Sequence, residues 1–267
     1  MTSYEMVLVH NGRKAEWAPD FPAECPDSTA AVRETYERLG DRRHPVLWVA
    51  EDVSPLVALA TGTDPLASEQ RLLILDEPSG PRKELLHLLF RVVVAPGKGV
   101  TLLPIEILRE VLASDRRTEV FVAGMIDRAA ELAVLYRGNL APTVVPFAWF
   151  LRRNPTPKPN FRDFELTDYG QSVRFGEYEA ATDLILYDFD ADYRRRAKER
   201  QLKLDDSLGG CIRRLRLIRG LSREDFPGVS GKQIARIERG EITNVRARTL
   251  AAIAAALKVR PEEITSY

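Results

Sequence analysis

The 267-residue chain predicts an α+β N-terminal region followed by an all-α C-terminal domain. Three observations carry that expectation. Up to about residue 126, short runs rich in Val, Ile and Leu alternate with helix-like segments. From 127 to 192, strand-like runs flank turn residues in two successive pairs. From Leu204 to Tyr267, apolar positions recur at helical spacing between turn residues.

In the first region, Met6 to His10, Pro45 to Ala50, Arg71 to Leu75, Arg91 to Ala95 and Glu119 to Ala123 read as strands. Ser28 is placed to cap a helix ending at Gly40, and further helices fall around Lys83 to Leu89 and Pro104 to Ala113. In the second, Glu131 to Tyr136 and Thr143 to Phe150 flank the turn Arg137-Gly138-Asn139-Leu140. Phe161 to Thr167 and Ser172 to Phe175 flank Asp168-Tyr169-Gly170. Between the pairs lies the Pro-rich loop RRNPTPKPN. Glu177 to Tyr187 reads as helix or extended chain, and Asp192 to Lys203 as a basic helical linker, its charges a solvated face in preference to a phosphate contact. The expected domains are 1–126, a small β-rich domain 127–192, and 193–267.

The C-terminal elements carry their own stop signals. Ser207 caps a helix running to Arg219 and closed by Gly220; Cys211, Leu215 and Ile218 fit one face of it. Ser222 starts a second short helix with Glu224 and Asp225 in its first turn, where acidic residues suit the helix dipole; Pro227-Gly228 ends it. Ser230 caps a third helix closed by Gly240, with Val229, Ile234 and Ile237 inward and Lys232, Gln233, Arg236 and Arg239 on the other face. A fourth runs from Ala247 to Leu257, and Pro261 opens a last short one. Two short helices joined by a tight turn and packed by flanking helices make a helix-turn-helix.

At this point the segment resembles the Cro/cI-type helix-turn-helix family, the XRE class of bacterial regulators with a lambda-repressor-like fold. The matching residues are Gly220-Leu221-Ser222, Gly228-Val229-Ser230, Ile234, Ile237-Glu238-Arg239-Gly240, Thr249-Leu250, Ile253-Ala254, Leu257, Val259 and Pro261-Glu262-Glu263. Two departures stand out. The family usually has about one more helical turn between Ser222 and Ser230, and the loop after Gly240 lacks the usual proline and is slightly longer. The resemblance implies that the third helix enters the major groove with its first residues facing base edges. That nominates Ser230, Gly231, Lys232, Gln233 and Arg236, with Gln233 suited to adenine and Lys232 or Arg236 to guanine. Arg223, Arg239, Asn244, Arg246 and Arg248 are nominated for phosphates. Residues 127–192 weakly resemble a small β-rich bacterial domain of unknown function that sometimes precedes a helix-turn-helix, a likeness that implies no activity.

Charge follows the same division. The formal net charge is zero, yet residues 194–267 hold 18 Lys+Arg against 9 Asp+Glu, and residues 1–193 hold 21 against 30. A basic module joined to an acidic body suits double-stranded DNA as the partner of the module alone.

Other chemistry finds little support. LLILDEPSG, residues 72–80, mimics the acidic strand of ABC-type ATPases, but no GxxxxGK[ST] loop exists and PGKG at 96–99 has the wrong spacing. A buried strand ending in a turn is the better reading. His10, His44 and His87 form no HExxH, and there is no GxSxG. Cys25, in the loop FPAECPDS, has no evident base partner, and Cys211 reads as a small core hydrophobe. The acidic pairs Glu51-Asp52 and Asp76-Glu77 could join a metal site only in space, which sequence does not show. Neither enzyme activity nor a cofactor or metal is expected. The N-terminus MTSYEMVLVHNGRK lacks a signal-peptide layout and no apolar run reaches membrane-spanning length, so a cytoplasmic location is expected.

The sequence therefore predicts a sequence-specific DNA-binding transcriptional regulator, a repressor in preference to an activator. It is expected to act as a homodimer, with an N-terminal region that dimerises or senses a small-molecule effector or partner protein. Two alternatives stand beside it. One is an antitoxin or accessory defence protein that binds a protein partner and autoregulates; the other is an enzyme within residues 1–126 that is targeted to DNA.

Overall fold

The computed structural model describes residues 6–10, 22–40, 45–61, 69–76, 82–97 and 99–266. His44, Glu77 and Lys98 of the motifs above, and the end of the 72–80 segment, lie outside the described residues. The chain divides into two compact units, residues 1–190 and 191–267. Across the whole, an α+β N-terminal region precedes a helical C-terminal segment.

The first sheet of the N-terminal unit comprises β1 (Met6–Val9), β2 (Ala23–Glu24), β3 (Leu47–Ala50), β4 (Arg71–Ile74) and β5 (Val92–Val94), in the order β2-β1-β3-β4-β5 with every pairing parallel. Strands buried on both faces read as continuous apolar runs, which is why MVLV, LWVA and LLI carry no polar alternation. The helices of this layer are α1 (Thr29–Gly40), α2 (Ser54–Ala60) and α3 (Arg82–Leu86). The Ser28 hydroxyl accepts the Ala31 amide proton at 3.2 Å, the expected cap. Helix α2 has no apolar periodicity long enough to announce it; the Asp52 carboxylate starts it by accepting from the Ser54 amide at 2.8 Å. Tyr36, Trp48 and Phe90 form the aromatic centre of this core, their ring centroids 5.8 to 6.0 Å apart. The Tyr36 hydroxyl donates to the Leu89 carbonyl at 2.8 Å, so the ring is buried without losing its hydrogen bond. Leu72 and Leu73 are fully buried in β4, between β3 and β5, so the start of the ATPase-like segment is core strand.

The rest of this unit is antiparallel. A four-stranded meander runs β6 (Val100–Leu102), β7 (Phe121–Asp127), β8 (Leu132–Arg137) and β9 (Pro142–Pro146). A three-stranded sheet follows as β10 (Phe164–Thr167), β11 (Ser172–Phe175) and β12 (Tyr178–Ala181). Helices α4 (Ile105–Ala113), α5 (Phe147–Leu151) and α6 (Thr182–Phe189) complete it. Phe164 joins the two sheets: its ring lies where a side chain on Gly124 of β7 would have to be, so that position holds glycine. The expected boundary at residue 126 falls inside β7, which pairs with β6 before it and β8 after it. Charge and apolar pattern do not change at a strand that belongs to both neighbours, so sequence offers no sign of this continuity. The run Thr143 to Phe150 is not one strand: it turns helical at Phe147, where Phe147, Trp149 and Phe150 enter an aromatic cluster with Phe161 and Phe175. Aromatic packing outweighs the strand preference of these residues. The ambiguous Glu177 to Tyr187 resolves into β12 followed by α6.

The C-terminal unit comprises α7 (Ala191–Lys203), α8 (Leu208–Ile218), α9 (Gly231–Glu238) and α10 (Ala247–Leu257), then a 3-10 segment at Pro261–Ser266. Its core is Cys211, Ile212, Leu215, Phe226, Val229, Ile234, Ile237, Ile253, Ala254, Leu257 and Ile264. Two expectations fail here. Ile218 is 76 % exposed; the inward face of α8 is Cys211, Ile212 and Leu215, extended by the charged Arg216. The second short helix does not form either: residues 221–230 are a series of turns. Proline leaves too few residues after Ser222 to complete helical hydrogen bonds. Instead the Asp225 carboxylate accepts from the Ser222 amide at 2.6 Å, and Phe226 and Val229 pin the segment to the core.

Glycine at 209 sets how closely α8 approaches α9. A Cβ there would collide with the Ile237 carbonyl oxygen, which is backbone and has no freedom to give way. Gly209→Ala is expected to destabilise the C-terminal unit by about 1–3 kcal/mol, the usual cost of overpacking. Urea unfolding followed by helical circular dichroism measures it; an unchanged midpoint would refute the close packing.

Candidate nucleic-acid interface

Helix α9 is held at both ends and along one side. Its start is capped by Ser230, whose hydroxyl accepts from the Gln233 amide at 3.2 Å. Its end is released by Gly240, which has φ 71°, a left-handed conformation that suits glycine. Ile234 and Ile237 are buried at i and i+3. The opposite face therefore turns outward, with Lys232 and Arg236 exposed and Gln233 half-buried.

A charged cluster beneath the helix fixes its position. Glu238 is 99 % hidden yet ionic: Arg216 Nε donates to Glu238 Oε1 at 2.6 Å and Nη2 to Oε2 at 3.3 Å. Arg216 Nη1 also donates to the Leu221 carbonyl at 2.8 Å, and Arg223 Nε donates to Glu238 Oε2 at 2.8 Å. One carboxylate thus ties α8, the turn segment and the end of α9 together, where a second helix would otherwise brace the third. A buried carboxylate is tolerated only with such partners. This cluster was not singled out in the sequence, although a charged residue between the apolar positions Leu215 and Leu217, with another following Ile237, is the available signal.

The nominated residues fall into distinct settings. Ser230, Lys232 and Arg236 line the exposed start and outer face of α9. Gly231 is half-buried beside the turn segment, where an added Cβ would lie 2.6 Å from Oε1 of the exposed Glu224 side chain, which is free to move aside. Among the phosphate candidates, Arg223 is half-exposed with its Nε engaged by Glu238, as above. Arg239 and Arg236 share the Glu241 carboxylate, at 2.6 and 3.3 Å from their Nε atoms. The hydrogen bond from Arg239 is the main cause holding the Glu241 carboxyl below its ordinary range. Asn244, Arg246 and Arg248 are exposed in the loop before α10 and in its first turn. The neighbouring basic helix α7 is tied to α8 by Arg214, whose Nη1 donates to the Lys203 and Asp205 carbonyls at 3.0 and 2.6 Å.

A capped outer helix, an inner helix that approaches it at a bare glycine and the pinned turn segment 221–230 between them form the centre of this helical unit. Residues 207–266 match the family model described as Helix-turn-helix domain, in agreement with a Cro/cI-type module at the C-terminus. Comparison with curated proteins and comparison with solved structures each returned no match. No helix among the described residues is long and apolar enough to cross a membrane, and no group of three His, Cys, Asp or Glu among them is arranged to hold a metal ion.

Proposed function

We propose that this protein is a sequence-specific, non-enzymatic, cytoplasmic DNA-binding regulator of transcription, a repressor of the XRE class that acts as a homodimer on a near-palindromic site. The observation that carries the reading is the capped start of α9, which presents Lys232, Gln233 and Arg236 outward while Ile234 and Ile237 anchor the helix beneath. Bidentate contacts from such side chains to base edges supply specificity, and the exposed arginines at 239, 246 and 248 supply contacts to phosphate. A single module buries modest surface on DNA, so pairing through the N-terminal unit raises affinity and spaces half-sites by about 34 Å, one helical turn. The N-terminal unit is the dimerising or sensing part.

Sedimentation equilibrium of the full chain, alone and with duplex DNA from upstream of its own coding sequence, tests this reading. Two chains per duplex, with a scrambled duplex left unbound, is the expected result. A monomer on DNA would overturn the homodimer, and equal binding of both duplexes would overturn specificity.

A further inference from the structure

Three turns of the N-terminal unit converge on one solvent-open groove of about 570 Å³. The first is the turn from Gly97 to Val100, closed by the Val100 amide donating to the Gly97 carbonyl at 3.1 Å. Gly97 and Gly99, with φ of 139° and 81°, both line the groove in backbone conformations that suit glycine. The second turn carries Arg128 between β7 and β8. The Asp127 carboxylate fixes it by accepting from the Ala129 and Ala130 amides, both at 3.0 Å. The third carries Arg162 ahead of β10, where Asn160 Oδ1 accepts from the Arg162 amide at 3.2 Å and the Asn160 carbonyl from the Asp163 amide at 3.0 Å.

Arg128 and Arg162 are the only ionisable side chains among the described residues that line this groove. Neither has a carboxylate partner among those residues. They stand in a region whose overall balance is acidic, with 30 Asp+Glu against 21 Lys+Arg in residues 1–193. Two guanidinium groups on backbones already held in place, with no carboxylate among the described residues lining the groove, suit the planar oxygens of a phosphate. Beside them, Phe161 and Phe164 give the groove an apolar wall. Its volume falls in the usual range for small-molecule sites, about 300–1,000 Å³.

We propose that this groove binds a small organic phosphate with an apolar or planar body, of the nucleoside diphosphate class, with Arg128 and Arg162 holding the phosphates and the phenylalanine wall receiving the body. The site stands on the geometry of the N-terminal unit alone and is independent of DNA binding by the other unit.

Calorimetric titration of the full chain with ADP and with inorganic pyrophosphate tests it. Saturable ADP binding is expected, with pyrophosphate weaker because it lacks the body. Arg128→Ala and Arg162→Ala each weaken ADP by about tenfold, as loss of one charge-assisted hydrogen bond does. The double variant abolishes binding while keeping the parent melting temperature. Gln233→Ala/Arg236→Ala leaves ADP binding intact, so failure of DNA recognition is distinguishable from failure of this site. No saturable binding at millimolar ADP, or undiminished binding to the double variant, would overturn the proposal. So would a result in which removing the two arginines weakens only duplex DNA binding, since the groove would then serve a nucleic-acid backbone.

Discussion

Gln233→Ala combined with Arg236→Ala is expected to remove specific binding while leaving the fold intact. Both side chains lie on the outward side of α9, and neither supports the core formed by Ile234 and Ile237. A bidentate contact to the right base discriminates by about 1–3 kcal/mol, so losing two lowers affinity for the specific site by at least about 30-fold. Affinity for scrambled DNA is expected to change far less, because the arginines proposed to contact phosphate remain in place. Fluorescence anisotropy with the two duplexes measures the ratio directly. Equal losses on both would show that these residues serve the backbone and not the bases; no loss on either would remove α9 from the interface.

The largest effect on stability is expected at Glu238. Its carboxylate compensates Arg216, whose side chain is only 9 % exposed, and also engages Arg223. Glu238→Ala strands the Arg216 guanidinium in a nearly dry site, a change that costs about 3–5 kcal/mol. That is a large share of the stability of an ordinary small domain. The helical signal of the C-terminal unit should melt well before that of the N-terminal unit. A double replacement, Arg216→Met with Glu238→Leu, should recover most of the loss, because an apolar pair of similar bulk removes the stranded charge. A loss below about 1 kcal/mol in Glu238→Ala would contradict the burial of the pair, since that is the range of exposed ion pairs.

How much of this was legible beforehand follows from how local each signal is. The caps Ser28, Ser207 and Ser230 act over three residues, and all three hydroxyls accept the amide proton their position predicts. Four strands of the parallel sheet, β1, β3, β4 and β5, lie in apolar runs whose ends the sequence marks within a residue or two. By contrast, β2 is two residues long, Ala23–Glu24, too short for a pattern, and β6 is a three-residue strand with a threonine at its centre. The second helix of the DNA-binding unit was expected from Ser222 and the acidic residues after it, and it gave way to turns pinned by Phe226. Spacing alone ranks Ile218 above Arg216 for burial on α8, and the structure reverses that order. The pairing of Arg216 with Glu238 decided otherwise, and the two are 22 residues apart in the chain. Gly209 showed nothing in sequence that marked it as a helix crossing. The groove at Arg128 and Arg162 was invisible for the same reason, since three turns distant in sequence build it.

Footprinting of the full-length protein on its own upstream DNA, across a salt series, tests the central claim most directly. The account predicts a protected, near-palindromic site with half-sites about one helical turn apart. It also predicts that log affinity falls linearly with log salt, with a slope set by the number of phosphates neutralised. Weak protection without sequence preference at any salt concentration would contradict it.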